Sequence, residues 1–294
     1  LLEALRARTR PPRLLGWTLE LTHEPPHEIR PADHNPARRA AQARAENLDL
    51  VIVAPSSPLG FELLPEREAQ PLLEAYHEGS QTLPPPFKAW AAACLTKPDP
   101  KGLADQLDRG FVGLSLPATA LTSADDYERA QPLLDAVDEA DRPLLIHPGP
   151  AMSASRGAPP WWAAIVSYVQ QMHAAWFAFR AHGRPRHPRL RVCFAMLAGL
   201  APLHGERFVA RAHERSVVDE DVFLDVSSYG TRAVDAIVRV LGIDVVINGS
   251  DRPYAAPQSL GLGAAAIAAV RTTNVLRLLK LEEVPNEPAL TSVS

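Results

Sequence analysis

Two polar residues, far apart in the chain, each stand where an apolar run stops. Pro143-Leu-Leu-Ile-His147-Pro148-Gly149 ends a hydrophobic stretch on an imidazole, and Val245-Val-Ile-Asn-Gly-Ser-Asp251-Arg252-Pro253 ends another on a carboxylate. A short apolar run closed by Pro or Gly reads as a strand buried on both faces. In a barrel of alternating strands and helices, the C-terminal tips of such strands carry the chemistry. A neutral imidazole there ligates a metal or carries a proton, and a carboxylate binds a cation or takes the proton of a metal-bound water. Arg252 reads either as an ion-pair partner for Asp251 or as a two-pronged hold on a carboxylated substrate.

Other strand ends carry weaker signals. Val192-Cys-Phe-Ala-Met196 ends on a thioether, a soft and weak ligand for hard or borderline cations. Asp225-Val-Ser227-Ser228-Tyr229-Gly230 offers hydroxyls, but neither serine sits in a G-x-S-x-G elbow or has an evident histidine partner, so Tyr229 is read as a pocket wall. His204 opens a helix, and His173 shares a helical face with aromatic residues, which reads as packing. The H-E-P-P-H stretch at 23–27 superficially matches a zinc-protease motif, but that motif needs a helix, and Pro25-Pro26 forbids one.

The elements needed to bring these tips together follow in a steady rhythm. From Leu50 onward, about seven short apolar strands alternate with helices: 50–54, 87–95, 111–116, 143–147, 190–197, 222–226 and 244–249. Strands alternating with helices predict a parallel sheet covered by helices. The expected fold class is α/β, a (β/α)8 TIM barrel, which needs an eighth strand. That strand is either Leu14 to Leu21 or one that precedes Leu1, since the chain opens on Leu rather than Met. A doubly wound nucleotide-binding sheet is unsupported, because no G-x-G-x-x-G follows any strand. Residues 1–294 read as one barrel domain, with 1–34 as an N-terminal helix and excursion and 283–294 as a tail.

Composition narrows the partners. The 294 residues carry a formal net charge of −4 with no basic stripe, which argues against nucleic-acid and anionic-membrane binding and for a small-molecule substrate. No apolar segment approaches the roughly 20 residues of a membrane span. Cys94 and Cys193 each lie inside an apolar run, so they read as buried thiols, and the expectation is a cytoplasmic, reducing compartment.

Taken together, I-H-P-G at 146–149, F-A-M-L-A-G-L-A-P-L-H-G-E-R-F at 194–208 and N-G-S-D-R-P at 248–253 resemble the amidohydrolase-related TIM-barrel family, in the branch that includes aminocarboxymuconate-semialdehyde decarboxylase. The resemblance covers residues 35 to 280. It implies one divalent metal, usually zinc, with His147 as the fifth-strand ligand and Asp251 as the eighth-strand aspartate. Trp161 is similar to an active-site tryptophan of the decarboxylase branch. Met196 stands where the family has a sixth-strand histidine, and the family's first-strand H-x-H is absent, so the metal site is incomplete; the expectation is that the first strand lies upstream of Leu1. The resemblance implies a metal-dependent hydrolase acting through activated water, with Asp251 and His147 catalytic and Arg252, Trp161, Tyr229 and Met196 around the substrate. The alternatives are nonoxidative decarboxylation of a small aromatic or enoic acid and a degenerate barrel that binds without turnover. Such barrels commonly pair through exposed helices, so a homodimer is expected. Met196→His is expected to raise zinc affinity in a calorimetric titration; no gain would mean that this position is off the metal.

Overall fold

The computed structural model describes residues 1–151, 157–214 and 218–282; the predicted tail at 283–294 lies outside them. A short helix α1 (Leu2–Arg6) leads into a small antiparallel sheet of β1 (Arg13–Leu15), β2 (Thr18–Glu20) and β3 (His27–Glu28), with Leu14 paired opposite Leu19. The chain reverses between β1 and β2 through Gly16, whose φ of +60° suits a residue without a β-carbon. Leu14 to Leu21 is therefore a hairpin folded on itself, not the eighth barrel strand that its apolar composition suggests. Gly16-Trp17 breaks the run into two halves that satisfy each other's backbone groups.

The rest alternates as predicted. In order come α2 (Pro36–Ala45), β4 (Val51–Val53), α3 (Glu66–Gln81), β5 (Phe87–Ala89), α4 (Pro100–Asp108), β6 (Leu114–Pro117), α5 (Ala124–Glu139) and β7 (Leu144–His147). Then follow α6 (Tyr168–Ala178), β8 (Val192–Phe194), α7 (Gly205–Ala212), β9 (Val222–Asp225), α8 (Thr231–Leu241), β10 (Val246–Ile247), α9 (Ala264–Ala268) and α10 (Asn274–Leu279). The start of α2 obeys its sequence signal: Asn35 caps the Arg38 N–H at 2.9 Å and Pro36 takes the first helical position.

Strands β6 to β10 pair in chain order, all parallel, and β4 pairs parallel with β5. Two 2.8 Å bonds join the groups, from Ala91 N–H to the Gly113 carbonyl and from Ser115 N–H to the Ala91 carbonyl. The seven strands form one parallel run. Among the described residues no pairing joins β10 back to β4, so the arc is open there. No helix among the described residues is long and apolar enough to cross a membrane.

Strand alternation sorts the side chains into two layers. Leu114, Leu116, Leu144, Ile146, Phe194 and Leu224 face the helices and join the main core with Leu133, Met172 and Ile237. The alternate positions Leu145, Cys193, Phe223 and Ile247 meet Trp90 and Leu278 in a second cluster on the inner face. Both cysteines are buried and free. Directly after β8 the backbone turns the wrong way: Met196, Leu197, Ala198, Gly199 and Leu200 have φ of 55°, 48°, 52°, 59° and 62°. A left-handed turn of L-residues costs roughly 1–2 kcal/mol per residue, and burial of Leu197 and Ala198 offsets part of it. Leu116→Ala, which empties a fully buried position between sheet and helices, is expected to cost about 2–5 kcal/mol in urea unfolding.

Candidate active site

One cavity of about 2940 Å³ runs from the C-terminal ends of the strands down to the inner-face side chains Leu145, Cys193 and Ile247. His147, Asp251, Arg252, Tyr229 and Met196 all line it. Trp161 is not among its walls; it is 55% exposed with its ring 5.9 Å from that of Trp162.

His147 is the last residue of β7 and faces inward, two positions beyond Leu145. Its Nδ1 lies 2.7 Å from the Pro148 carbonyl, which can only accept, so Nδ1 carries the hydrogen and Nε2 is a bare lone pair. Burial pushes the imidazole down to about 4, so it is neutral. Nε2 has no hydrogen-bond partner, and 4.0 Å away stands the equally unpartnered Oε1 of Glu62. Glu62 is 1% exposed, and burial pushes it from 4.5 up to about 7. The two unpartnered atoms thus face each other across a 4.0 Å gap.

On the other side, Asp225 ends β9 at the inward position beyond Phe223. The Ser227 N–H donates to its Oδ1 at 2.6 Å. The Met196 backbone, aimed by the left-handed turn, also favours its charged form. A β-carbon on Gly249 would lie 2.3 Å from Asp225 Oδ2, so only glycine lets the carboxylate press against the end of β10. Burial nevertheless holds Asp225 above the usual carboxylate range. Asp251 follows at φ 53°, its Oδ2 accepting from the Ser228 hydroxyl at 3.2 Å. Solvent reaches Asp251 from within a concave mouth, where surrounding protein displaces much of its hydration; this, with the nearby Asp225 charge, raises it.

Arg252 does not pair with Asp251, as its position in the sequence suggests. Its Nη2 reaches Glu46 Oε1 of the loop after α2 at 2.6 Å, while Ser228 takes the role of partner to Asp251. The excursion at 23–34 crosses the mouth. Glu24 is anchored there by the Tyr168 hydroxyl at 2.8 and 2.9 Å and by the Ala151 N–H at 3.0 Å. Sequence reasoning missed Glu62, Asp225 and Glu24. Asp225 had a signal, since Val222-Phe-Leu-Asp225 ends an apolar strand on a polar group as Leu144-Leu-Ile-His147 does.

No group of three or more His, Cys, Asp or Glu side chains among the described residues converges as a metal requires. His147 Nε2 and Glu62 Oε1 are two free donors, where tight sites take three or four. The described residues do not by themselves fit a tightly held zinc.

Glu62 generates a pH prediction. The folded chain keeps its proton to about pH 7, whereas an unfolded glutamate loses it near 4.5, so stability falls as pH rises through that window, by about 3 kcal/mol. Glu62→Gln removes this titration. Its stability relative to wild type, measured by urea unfolding, is expected to rise by about that amount from below pH 4.5 to above pH 7. A pH-independent difference would mean that Glu62 is solvated.

No protein-family model matches the chain, and no curated protein does. Solved structures do match. An amidohydrolase II is 17% identical with a TM-score of 0.72, covering 95% of this chain and 95% of its own. The 2,6-dihydroxybenzoate decarboxylase from Rhizobium is 18% identical with a TM-score of 0.66, covering 83% of this chain and 88% of its own. The 5-carboxyvanillate decarboxylase from Novosphingobium aromaticivorans, complexed with manganese and 4-hydroxy-3-methoxy-5-nitrobenzoic acid, is 20% identical with a TM-score of 0.66, covering 83% of this chain and 80% of its own. With its parallel strand run, outer helices and polar strand tips, the chain shares its fold, a TIM barrel, with these proteins.

Proposed function

We propose that the chain is a small-molecule enzyme of the amidohydrolase type whose reaction is nonoxidative decarboxylation of a small aromatic or enoic acid. The observation that carries this reading is Asp251, a carboxyl group just beyond the end of β10 that lines the cavity with the Ser228 hydroxyl on its Oδ2. A carboxyl so placed can pass a proton to carbon, the step that decarboxylation needs. The shared fold with two aromatic-acid decarboxylases supports it further.

In this reading Asp251 gives its proton to the carbon that bears the carboxylate. The bond to the carboxylate then breaks, its electron pair returns to the ring or chain, and carbon dioxide departs. Asp251, now ionised with the Ser228 hydroxyl on Oδ2, regains a proton from solvent through the open mouth. His147, neutral and buried, presents uncharged surface beside the leaving carboxylate, and Tyr229 and Met196 form the wall of the site. Manganese in one relative makes a divalent cation the natural addition to an assay. The described side chains do not complete a site for it, and no step here runs through one.

The test is a panel of hydroxybenzoic and enoic acids, with and without divalent manganese or zinc, read by headspace carbon dioxide. Release is expected, with one solvent deuterium retained on the product carbon in heavy water. Asp251→Asn is expected to lower kcat by about 10²–10⁴-fold. Hydrolysis of an ester or amide panel without carbon dioxide from any acid would replace this reading with the hydrolase one.

A further inference from the structure

The excursion after β2 is tied into the cavity at one point that the proton-transfer step does not use. Leu21 packs against the main core and His27 pairs with Leu19 across β2 and β3. Between them, among the described residues, every hydrogen bond of 22–26 is made by the Glu24 side chain. Pro25 and Pro26 have no N–H to give. Glu24, Pro25 and Pro26 nevertheless line the same cavity as His147 and Asp251.

The cradle that receives Glu24 is built without it. Gln171, on α6, accepts from the Gly149 N–H at 2.8 Å and donates to the Pro150 carbonyl at 3.1 Å, which clamps the loop after β7 against the helix. Pro150 is hemmed in from the other side, since a β-carbon on Gly60 would lie 2.2 Å from its ring. Tyr168 stands three residues before Gln171 on the same face of α6, so its hydroxyl and the Ala151 N–H converge. Burial, then the Glu24 charge, push the Tyr168 hydroxyl up, so it keeps its hydrogen and donates. Glu24 Oε1 takes the Ala151 N–H at 3.0 Å, and its two oxygens lie 2.9 and 2.8 Å from the Tyr168 hydroxyl. Two fixed donors, one of them the N–H of a residue only 1% exposed, thus require an acceptor. The charge of Asp251 acts on the same hydroxyl, so the cradle neighbours the strand tip.

A rigid cradle and a loosely tied strap make Glu24 replaceable, because another carboxylate satisfies the same two donors. We propose that Glu24 is an autoinhibitory contact: its carboxylate takes the place of a ligand's carboxylate in the cavity of the resting protein, and the strap at 22–26 must leave before an acid binds there. That the displacing acid is the substrate rests on the decarboxylase reading; the displacement itself does not. An acid then binds only those molecules whose cradle is empty, and its apparent affinity is reduced by that fraction.

The probe is benzoate, titrated calorimetrically into wild type, Glu24→Ala, Glu24→Gln and the double variant Glu24→Ala/Tyr168→Phe, each checked for native circular dichroism. Glu24→Ala is expected to bind at least about tenfold more tightly than wild type, and Glu24→Gln, whose neutral oxygen is the weaker acceptor, to fall between them. Loss of the Tyr168 hydroxyl should cancel most of the gain. A second measurement keeps Glu24 in place: both native cysteines are buried, so a thiol-reactive fluorophore on the exposed His23→Cys reports the strap. Its anisotropy is expected to fall as benzoate is added. Equal or weaker binding by Glu24→Ala, an undiminished gain in the double variant, or an anisotropy that stays level or rises would overturn the contact; a rise would make the strap a lid that closes over its ligand. Because these readouts are of binding, the expected gains without carbon dioxide release from any acid would remove the reaction and leave the contact. Carbon dioxide release with no gain from Glu24→Ala would do the reverse.

Discussion

The arrangement depends on the register of parallel strands. Pro117 lies opposite His147 across β6 and β7, and Asp225 lies opposite Ile247 across β9 and β10. Side chains alternate faces along a strand, so a slip of one residue would turn His147 and Asp225 outward among the helices and bring Ile146 and Leu224 inward. The apolar pattern forbids the slip, because it would bury two ionisable groups against Leu133 and Met172 in the main core. The same burial that holds the sheet together therefore delivers the polar tips to a common mouth.

That mouth is lined by ionisable groups at the strand ends and by arginines at its edge. At the strand ends, the buried His147 and Glu62 and the partly buried Asp225 are pushed toward their neutral forms, as is Asp251 nearer solvent, with desolvation the largest cause of each shift. At the edge stand Arg39 and Arg252, the latter held by Glu46 Oε1 at 2.6 Å from its Nη2.

Much of this was legible in the chain because strand tips advertise themselves: apolar runs stopped by Pro-Gly or Gly-Ser-Asp mark where β7 and β10 end. The hairpin of β1 and β2 was misread because two three-residue strands across Gly16-Trp17 have the composition of one longer strand. Glu62 was hidden inside Gly60-Phe-Glu-Leu-Leu64, a stretch that reads as the opening of a helix. Its partner, His147, is 85 residues away in sequence, and only the fold makes them neighbours.

The left-handed turn from Met196 to Leu200 bears on how this protein tolerates change. Four of its five residues carry β-carbons that disfavour the conformation, and the fifth, Gly199, sits so close to α6 that a β-carbon would come within 2.6 Å of the Val169 carbonyl. Rules of local propensity would rewrite this stretch first, and doing so would release the Met196 backbone from Asp225. The segment is thus a place where foldability and chemistry pull in opposite directions: a redesign that relaxed the loop would gain stability at the expense of the carboxylate's aim.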